Sequence, residues 1–458
     1  MGRNKRYRRF LMGEQLESRA MLAGNVTASV SGGVLVLTGD AEDNEITITQ
    51  VDADSYTVTG VATDVNGDVV PVDFDGVTSG FRVDLRGGND ILTIEAATDP
   101  IAGNVFVRMN SGDDTVSLAA SVTGSVNIGT GDGLDTVTVS TIDVGGTLIV
   151  NTGLGDDTAE ITDVIVDGHL SVVTGDGVDT LTVSGTEADS AFINSGAGND
   201  TVSLTGSATD GATTLLTGAG NDLVTVETYD AAALIVNAGS GVNDVLVTDV
   251  LVDGAVTVVA GSGADILEVT EIEASAVVVN AGNGANDVTV ANITSDGNVV
   301  VNAGSGADLI NVSAIAADST IVNAGSGNDE VTLGGLDLLF NLVLNLGAGN
   351  DVGSVADSFV DGALVITGGA GNDEINATTV EVGINAVINA GSGNDTVTLE
   401  TLTVVDNLFA ILGAGDDDLS ISGSSADDAF LIGGAGSDTY LDGGNTFGET
   451  HKSSITDV

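Results

Sequence analysis

The residues with the most capacity for chemistry are aspartates placed two positions after a pair of glycines. The stretch Gly391-Ser392-Gly393-Asn394-Asp395-Thr396-Val397-Thr398-Leu399 shows the pattern, a Gly-x-Gly-x-Asp turn followed by alternating apolar residues. Allowing Arg86 and Asn110 at the first glycine and Asn at two anchors, it recurs seventeen times, with the anchor at Asp90, Asp114, Asp135, Asp157, Asp179, Asp200, Asp222, Asn243, Asp265, Asn286, Asp308, Asp329, Asp351, Asp373, Asp395, Asp417 and Asp438. After a first step of 24 residues, every interval is 21 or 22. So tight a period marks a solenoid in which each repeat is one coil packed on its neighbours.

Stacked coils bring the anchors into one column. At a strand spacing of about 5 Å, neighbouring unit charges repel by roughly 3 kcal/mol at an effective dielectric near 20. Fifteen carboxylates in file therefore call for compensation, and glycine lets backbone carbonyls approach closely. Carboxylate and carbonyl are hard oxygen donors of the kind Ca²⁺ gathers six to eight at a time, whereas Mg²⁺ demands strict octahedra and keeps its water. The expected metal ligands are the fifteen aspartates of the column, with Asn243 and Asn286 as weaker, uncharged members. Glycine and aspartate are also good turn formers, so a purely structural column is the alternative.

Here the chain resembles the hemolysin-type RTX calcium-binding repeats, whose unit is Gly-Gly-x-Gly-x-Asp-x-U-x with U a large apolar residue. Gly368-Gly369-Ala370-Gly371-Asn372-Asp373-Glu374-Ile375-Asn376 matches throughout, and Gly433 to Leu441 matches with Tyr440 as the large residue. Most other copies carry Ala, Thr or Leu at the first glycine. The resemblance implies bound calcium ions and a flattened two-sided roll. The family repeats every nine residues, however, and this chain every 21 or 22, with one such turn per coil.

Two further columns run beside the first. Asp167, Asp189, Asp210, Asp253, Asp296, Asp318, Asp361 and Asp427 fall ten after an anchor, often before glycine, and read as turn residues bonding their own backbone. Asn110, Asn151, Asn194, Asn237, Asn280, Asn302, Asn323, Asn345 and Asn389 stand two before a turn glycine and read as a stacked amide ladder.

The elements that must hold these columns are strands. After Asp329, Val331 and Leu333 alternate, Leu336 and Leu338 follow, and Leu342 and Leu344 lead into the next turn. Three short alternating runs and three turns per coil predict an all-β, three-sided parallel β-helix over 82–441, a rod roughly 75–80 Å long. Glycine content and period exclude a helical reading. Residues 25–81 hold β-branched runs off the period and are expected to cover the first coil, because an open solenoid end is a bare sheet edge. Residues 442–458 read as a polar, frayed tail.

Charge narrows the partners. The chain carries a net charge of −57, yet six of its ten basic residues lie in the first nineteen positions, which net +4 and leave −61 for the remainder. Nucleic acid and anionic membrane surfaces are excluded by repulsion. No segment approaches the roughly 20 apolar residues of a membrane helix. With no cysteine, disulfides cannot staple the rod.

The basic head, 1–24, lacks the apolar run of a standard signal peptide. Its Gln15-Leu16-Glu17-Ser18-Arg19-Ala20-Met21-Leu22 resembles the LEPR-XLL leader of planctomycete secreted and surface proteins, with Ser for Pro and Met for the first Leu. That resemblance implies export.

Catalysis is not expected. A β-helix that cleaves acidic polysaccharide needs basic and aromatic residues for its substrate, and between Asp90 and Asp438 only Arg108 and His169 are basic. Carboxylate pairs occur in nearly every coil and so select no acid–base couple. His169 reads as a solvated turn residue. An ice-binding face would need Thr-x-Thr on nearly every coil, and Glu160, Asn311 and Gly353 interrupt it. What remains is an extracellular or cell-surface structural or adhesive rod that binds calcium, with surface glycans or matrix proteins as partners.

Overall fold

A computed structural model describes residues 24–458; the basic leader, apart from Gly24, lies outside them. The described chain is all β, a parallel β-solenoid of about 17 turns with no helix. Each coil hydrogen-bonds to the coil 21 or 22 residues before and after it, so Ile310 pairs with Val331, Val312 with Leu333 and Val322 with Leu344. Like stacks on like. The inward positions form columns of Val, Ile, Leu and Ala that fuse into one core running from Val26 to Tyr440.

The coil Leu309–Asp329 shows how sequence sets the path. Ile310 and Val312 point inward, Ala314 adopts φ 53°, and the alternation resumes one residue out of phase with Ile315 and Ala317 inward. This left-handed residue recurs in the coils from Asp135 onward, at Thr141, Asp163, Thr228, Asp249, Glu271, Asn292, Asp357, Thr379 and Thr401, and as glycine at 185, 206, 335 and 423. It divides the first two inward runs, and the column of Asp318 and Asp296 divides the second from the third. The period varies at that second corner. Ser295 and Asn298 are separated by Asp296-Gly297, whereas their partners in the next coil, Ala317 and Ser319, are separated by Asp318 alone. A residue gained or lost there leaves both inward columns in register.

The start of the chain is more ordered than its lack of period suggests. Strands β2 (Val34–Thr38) and β3 (Glu45–Asp52) pair in parallel with β7 (Gly80–Asp84) and β8 (Ile91–Ile94), so the first parallel layer precedes Arg82. Its outer edge is closed by antiparallel strands: β1 (Gly24–Ser31) on β2, and β4 (Ser55–Gly60) on β3, with β5 (Thr63–Val65) beside β1 and β6 (Val72–Asp75) beside β4. Tyr56 and Phe81 meet edge to face at 4.9 Å beneath this cover. Reversing strand direction ends a parallel stack without leaving its edge free for another chain.

At the other end, 442–458 does not fray. Thr446–Ser453 pairs in parallel with Ser425–Ile432, and Thr456–Asp457 pairs with Thr439–Tyr440. The segment lacks the apolar periodicity and so reads as a tail; backbone pairing on the preceding coil holds it instead, with Phe447 and Ile455 half-buried against the core and most other side chains exposed. Lys452 lies over the Tyr440 ring at 4.5 Å.

Candidate functional site

The Gly-x-Gly-x-Asp turn is built on backbone contact between coils. A Cβ added to Gly155 would lie 1.6 Å from the Gly133 carbonyl oxygen, and one added to Gly349 would lie 1.3 Å from that of Gly327. Only glycine stacked on glycine lets successive turns nest this closely. The glycine carbonyls therefore point along the rod at the next glycine.

All fifteen aspartates expected in the column occupy one line, from Asp90, Asp114 and Asp135 through Asp157, Asp179, Asp200, Asp222, Asp265 and Asp308 to Asp329, Asp351, Asp373, Asp395, Asp417 and Asp438. They point into the core. None is more than 3% exposed, and Asn243 and Asn286 are as deeply buried. Each Oδ1 accepts the backbone N–H of the anchor in the preceding coil: Asp329 N–H donates to Asp351 Oδ1 at 2.8 Å, Asp351 to Asp373 at 3.0 Å, and Asp373 to Asp395 at 2.9 Å. The asparagines serve identically, Asp222 N–H donating to Asn243 Oδ1 at 3.1 Å.

Sequence reading missed the first rung. Asn44, 1% exposed, donates its N–H to Asp90 Oδ1 at 2.7 Å. It sits 46 residues before Asp90 because the capping strands intervene. The signal was present in Asp43-Asn44-Glu45-Ile46-Thr47-Ile48, which parallels Asn89-Asp90-Ile91-Leu92-Thr93-Ile94.

A second ladder runs the other way. Where the residue before an anchor is Asn or Asp, it offers its side-chain oxygen to the following coil: Asn372 N–H donates to Asn350 Oδ1, Asn394 to Asn372, and Asp416 to Asn394, at 2.7–3.0 Å. Leu134, Val178, Val242, Ala264, Ala285 and Ala307 interrupt the ladder. Hence the Asn-Asp pairs at these turns. The asparagine receives from the coil after it and the aspartate from the coil before it.

The second carboxylate oxygen is the unusual group. All fifteen Oδ2 atoms are buried without a hydrogen-bond partner. The two asparagines show what surrounds that position. With Oδ1 taken by a backbone N–H, the Nδ2 group fills the Oδ2 place, and it donates to a carbonyl of the next coil: Asn243 to Ala260 O at 3.4 Å and Asn286 to Ala303 O at 3.3 Å. Asn243 Nδ2 also lies 3.5 Å from its own turn's Gly241 O. The same meeting is seen at Gly368, where an added Cβ would be 2.7 Å from Asp373 Oδ2 and 2.3 Å from Ala390 O. In five coils the intervening residue is Thr130, Thr152, Thr174, Ser195 or Thr217. The four threonine hydroxyls donate to the next coil's carbonyl at 2.9–3.1 Å. Elsewhere the aligned residue is Ala, Gly, Met109 or leucine (85, 346 and 412).

Burial pushes up the carboxyls from Asp90 through Asp417. Asp90, Asp157, Asp329 and Asp373 reach about 6 and Asp114 about 7, desolvation being the largest cause and the Oδ1 hydrogen bond opposing it. The charged groups that act on the column are all acidic: its own members, with Asp113, Asp132, Asp156 and Asp416 from the turns and Asp40 and Asp43 at the first coil.

Calcium does not fit these donors. At the Asn243, Asn286 and Asp373 positions one or two backbone carbonyls flank the inner side-chain atom, and in the threonine coils the nearby hydroxyl is already engaged. Ca²⁺ takes six to eight oxygens at 2.3–2.6 Å. Core side chains close the remaining directions and keep bulk water from completing the shell. As built, the column does not supply a calcium site. Among the described residues no group of three His, Cys, Asp or Glu side chains converges as a metal centre.

The other columns fall differently. Asn280, Asn302, Asn323 and Asn345 form an unbroken amide ladder with each Nδ2 donating to the preceding Oδ1 at 2.7 Å. Asn151, Asn194, Asn237 and Asn389 share the column's line, but Val173, Leu216, Val259 and Thr367 separate them from other asparagines. Asn110 is not in it. It takes the first-glycine position, paired with Gly131 at φ 79°, and donates to Asp84. The corner aspartates Asp167, Asp189, Asp210, Asp253, Asp296, Asp318, Asp361 and Asp427 face outward, and no bond to their own turn is seen among the described residues. Several of them line the acidic outer face, where Asp167, Glu187, Asp189, Asp210 and Asp230 border an open hollow of about 540 Å³. His169 is half-buried, its Nδ1 2.9 Å from Ser190 Oγ of the next coil. No family model and no curated protein sequence matches this chain.

Proposed function

We propose that this chain is a non-catalytic structural or adhesive rod that acts outside the cell or at its surface. One observation carries the reading: a single core runs from Val26 to Tyr440, and each regular coil pairs in parallel with both its neighbours. Such a body is a spacer or scaffold, stiff because each coil is held on two sides. Its outer hollows support a non-catalytic role. The two along the middle coils are open and lined mainly by Asp, Glu, Thr and aliphatic residues, while the basic residues of the described chain stand apart from them, Arg82, Arg86 and Arg108 near one end and His451 and Lys452 near the other, with His169 between. Export follows from the leader resemblance, and the acidic faces suit matrix proteins or cation-bridged surface glycans as partners. Calcium in the turns, implied by the repeat resemblance, would need a shell that the column does not supply; a melting temperature raised by calcium and not by magnesium would restore it.

The test is to express the full chain in its native cell, locate it with antibody on intact cells, and compare surface attachment with a deletion strain. Surface exposure and loss of attachment are the expected result. Cytoplasmic location, or turnover of an acidic polysaccharide by purified protein, would overturn the reading.

A further inference from the structure

The aspartate column poses a chemical problem that its two asparagines answer. At 243 and 286 the atom in the Oδ2 position is a hydrogen-bond donor aimed at the next coil's carbonyl. An ionised aspartate in the same place would set a charged acceptor against a carbonyl acceptor, buried, with no cation facing it. Unpaired buried charge of that kind costs several kcal/mol, and in practice the group neutralises. In the four threonine coils the hydroxyl hydrogen is already given to the next coil's carbonyl, leaving the hydroxyl oxygen free to accept from Oδ2.

We propose that the column aspartates stand in the folded rod as neutral carboxylic acids, each Oδ2–H donating to the following coil's main-chain carbonyl or to the threonine hydroxyl in between. Oδ1 then accepts from the coil before and Oδ2–H donates to the coil after, so one side chain pins three consecutive coils. The column is a row of proton sites where the repeat resemblance implied calcium sites. The buried, unpartnered Oδ2 atoms take up protons from solvent on folding and give them back on unfolding.

The sign of the pH dependence follows. A carboxyl raised from 3.8 in the open chain to about 6 when folded binds its proton more tightly in the fold. The stability it contributes is fully present below the open-chain value and is lost as pH rises through the folded one. Among the described residues, the charged groups acting on the column are acidic, so none reverses this. The rod should be sturdier in mild acid than above neutrality.

The experiment compares the full chain with Asp329→Asn/Asp351→Asn and with Asp329→Ala/Asp351→Ala, by urea unfolding at about pH 5 and about pH 8, in EDTA and in millimolar calcium. Asparagine copies the neutral acid, so the Asn pair should match the parent near pH 5 and exceed it near pH 8. The Ala pair should be weaker at both. Unfolding the unsubstituted chain near pH 5 in weak buffer should release on the order of one proton per column acid. The proposal is overturned if the Asn pair falls with the Ala pair near pH 5, if unfolding releases no protons, or if calcium raises the parent's midpoint and not that of the Asn pair. None of these results bears on where the rod acts, so the extracellular reading stands or falls separately.

Discussion

Replacing Gly349 by alanine should split the rod locally, while the same change fifteen residues earlier, at Gly334, should do almost nothing. Gly349 has φ +151°, and its new Cβ would sit 1.3 Å from the Gly327 carbonyl oxygen, less than half the separation real Cβ atoms keep. That oxygen belongs to backbone and cannot swing aside, so the two turns must part by about 1.7 Å in a tightly packed interior. Parting them breaks the bonds from Gly327 N–H to Ala348 O, from Asp329 N–H to Asp351 Oδ1 and from Asn350 N–H to Asn328 Oδ1, each 2.8 Å. At about 1 kcal/mol of net stability per bond, and more wherever a buried donor is left unmet, the loss is about 4–8 kcal/mol. At Gly334 the nearest atom to an added Cβ is Ala356 O at 3.7 Å, an ordinary contact, and alanine should add about 0.5–1 kcal/mol by restricting the open chain. The assay is urea unfolding followed by amide exchange resolved along the chain. Because each coil contacts only its neighbours, lost protection should centre on 327–351 and fade within a coil or two. Equal midpoints for the two variants, or protection lost uniformly from end to end, would refute the argument.

Excising residues 309–329 should leave a folded rod shorter by about 5 Å, because Glu330 then takes the register place of Leu309 on Asp287; scattering-derived length and a cooperative melt check it, and removal of only 309–318 should abolish that melt. Thr379→Gly should stabilise by up to about 1 kcal/mol, since an exposed β-branched residue at φ 55° carries a left-handed penalty of about 1–2 kcal/mol that exceeds glycine's entropic cost. A fall in the urea midpoint would show that the left-handed corner is unstrained.

The solenoid was legible because two signals coincide in every coil from Asp135 onward: the glycine pair that only a nested turn requires, and inward residues spaced so that like stacks on like. The anchor column was legible for the same reason. Its chemistry was not. Gly-x-Gly-x-Asp specifies a carboxylate beside backbone, and whether that carboxylate faces outward to an ion or inward to a carbonyl depends on side-chain direction, which spacing leaves open. The clue lay in Asn243 and Asn286, read first as weakened metal ligands and better explained as donors. The left-handed corner was invisible because its identity varies from Thr141 to Glu271 to Gly335; the backbone bend is imposed by stacking on the neighbour, so any residue there inherits it. Asn44 escaped because the capping strands interrupt the count, and Asn110 was misplaced because it substitutes for the glycine that defines the count.

The opposed direction of the two turn ladders has a consequence for how the rod comes to exist. The anchor N–H of one coil finds its acceptor only when the next coil has been laid down, whereas the residue just before the anchor, wherever the previous coil carries Asn or Asp at that place, is satisfied from the coil already in place. A coil is thus half fastened on arrival and fully fastened by its successor. Assembly from the capped end is a zipper whose newest tooth is always the loosest, and disassembly under tension retraces it from the other end, tooth by tooth.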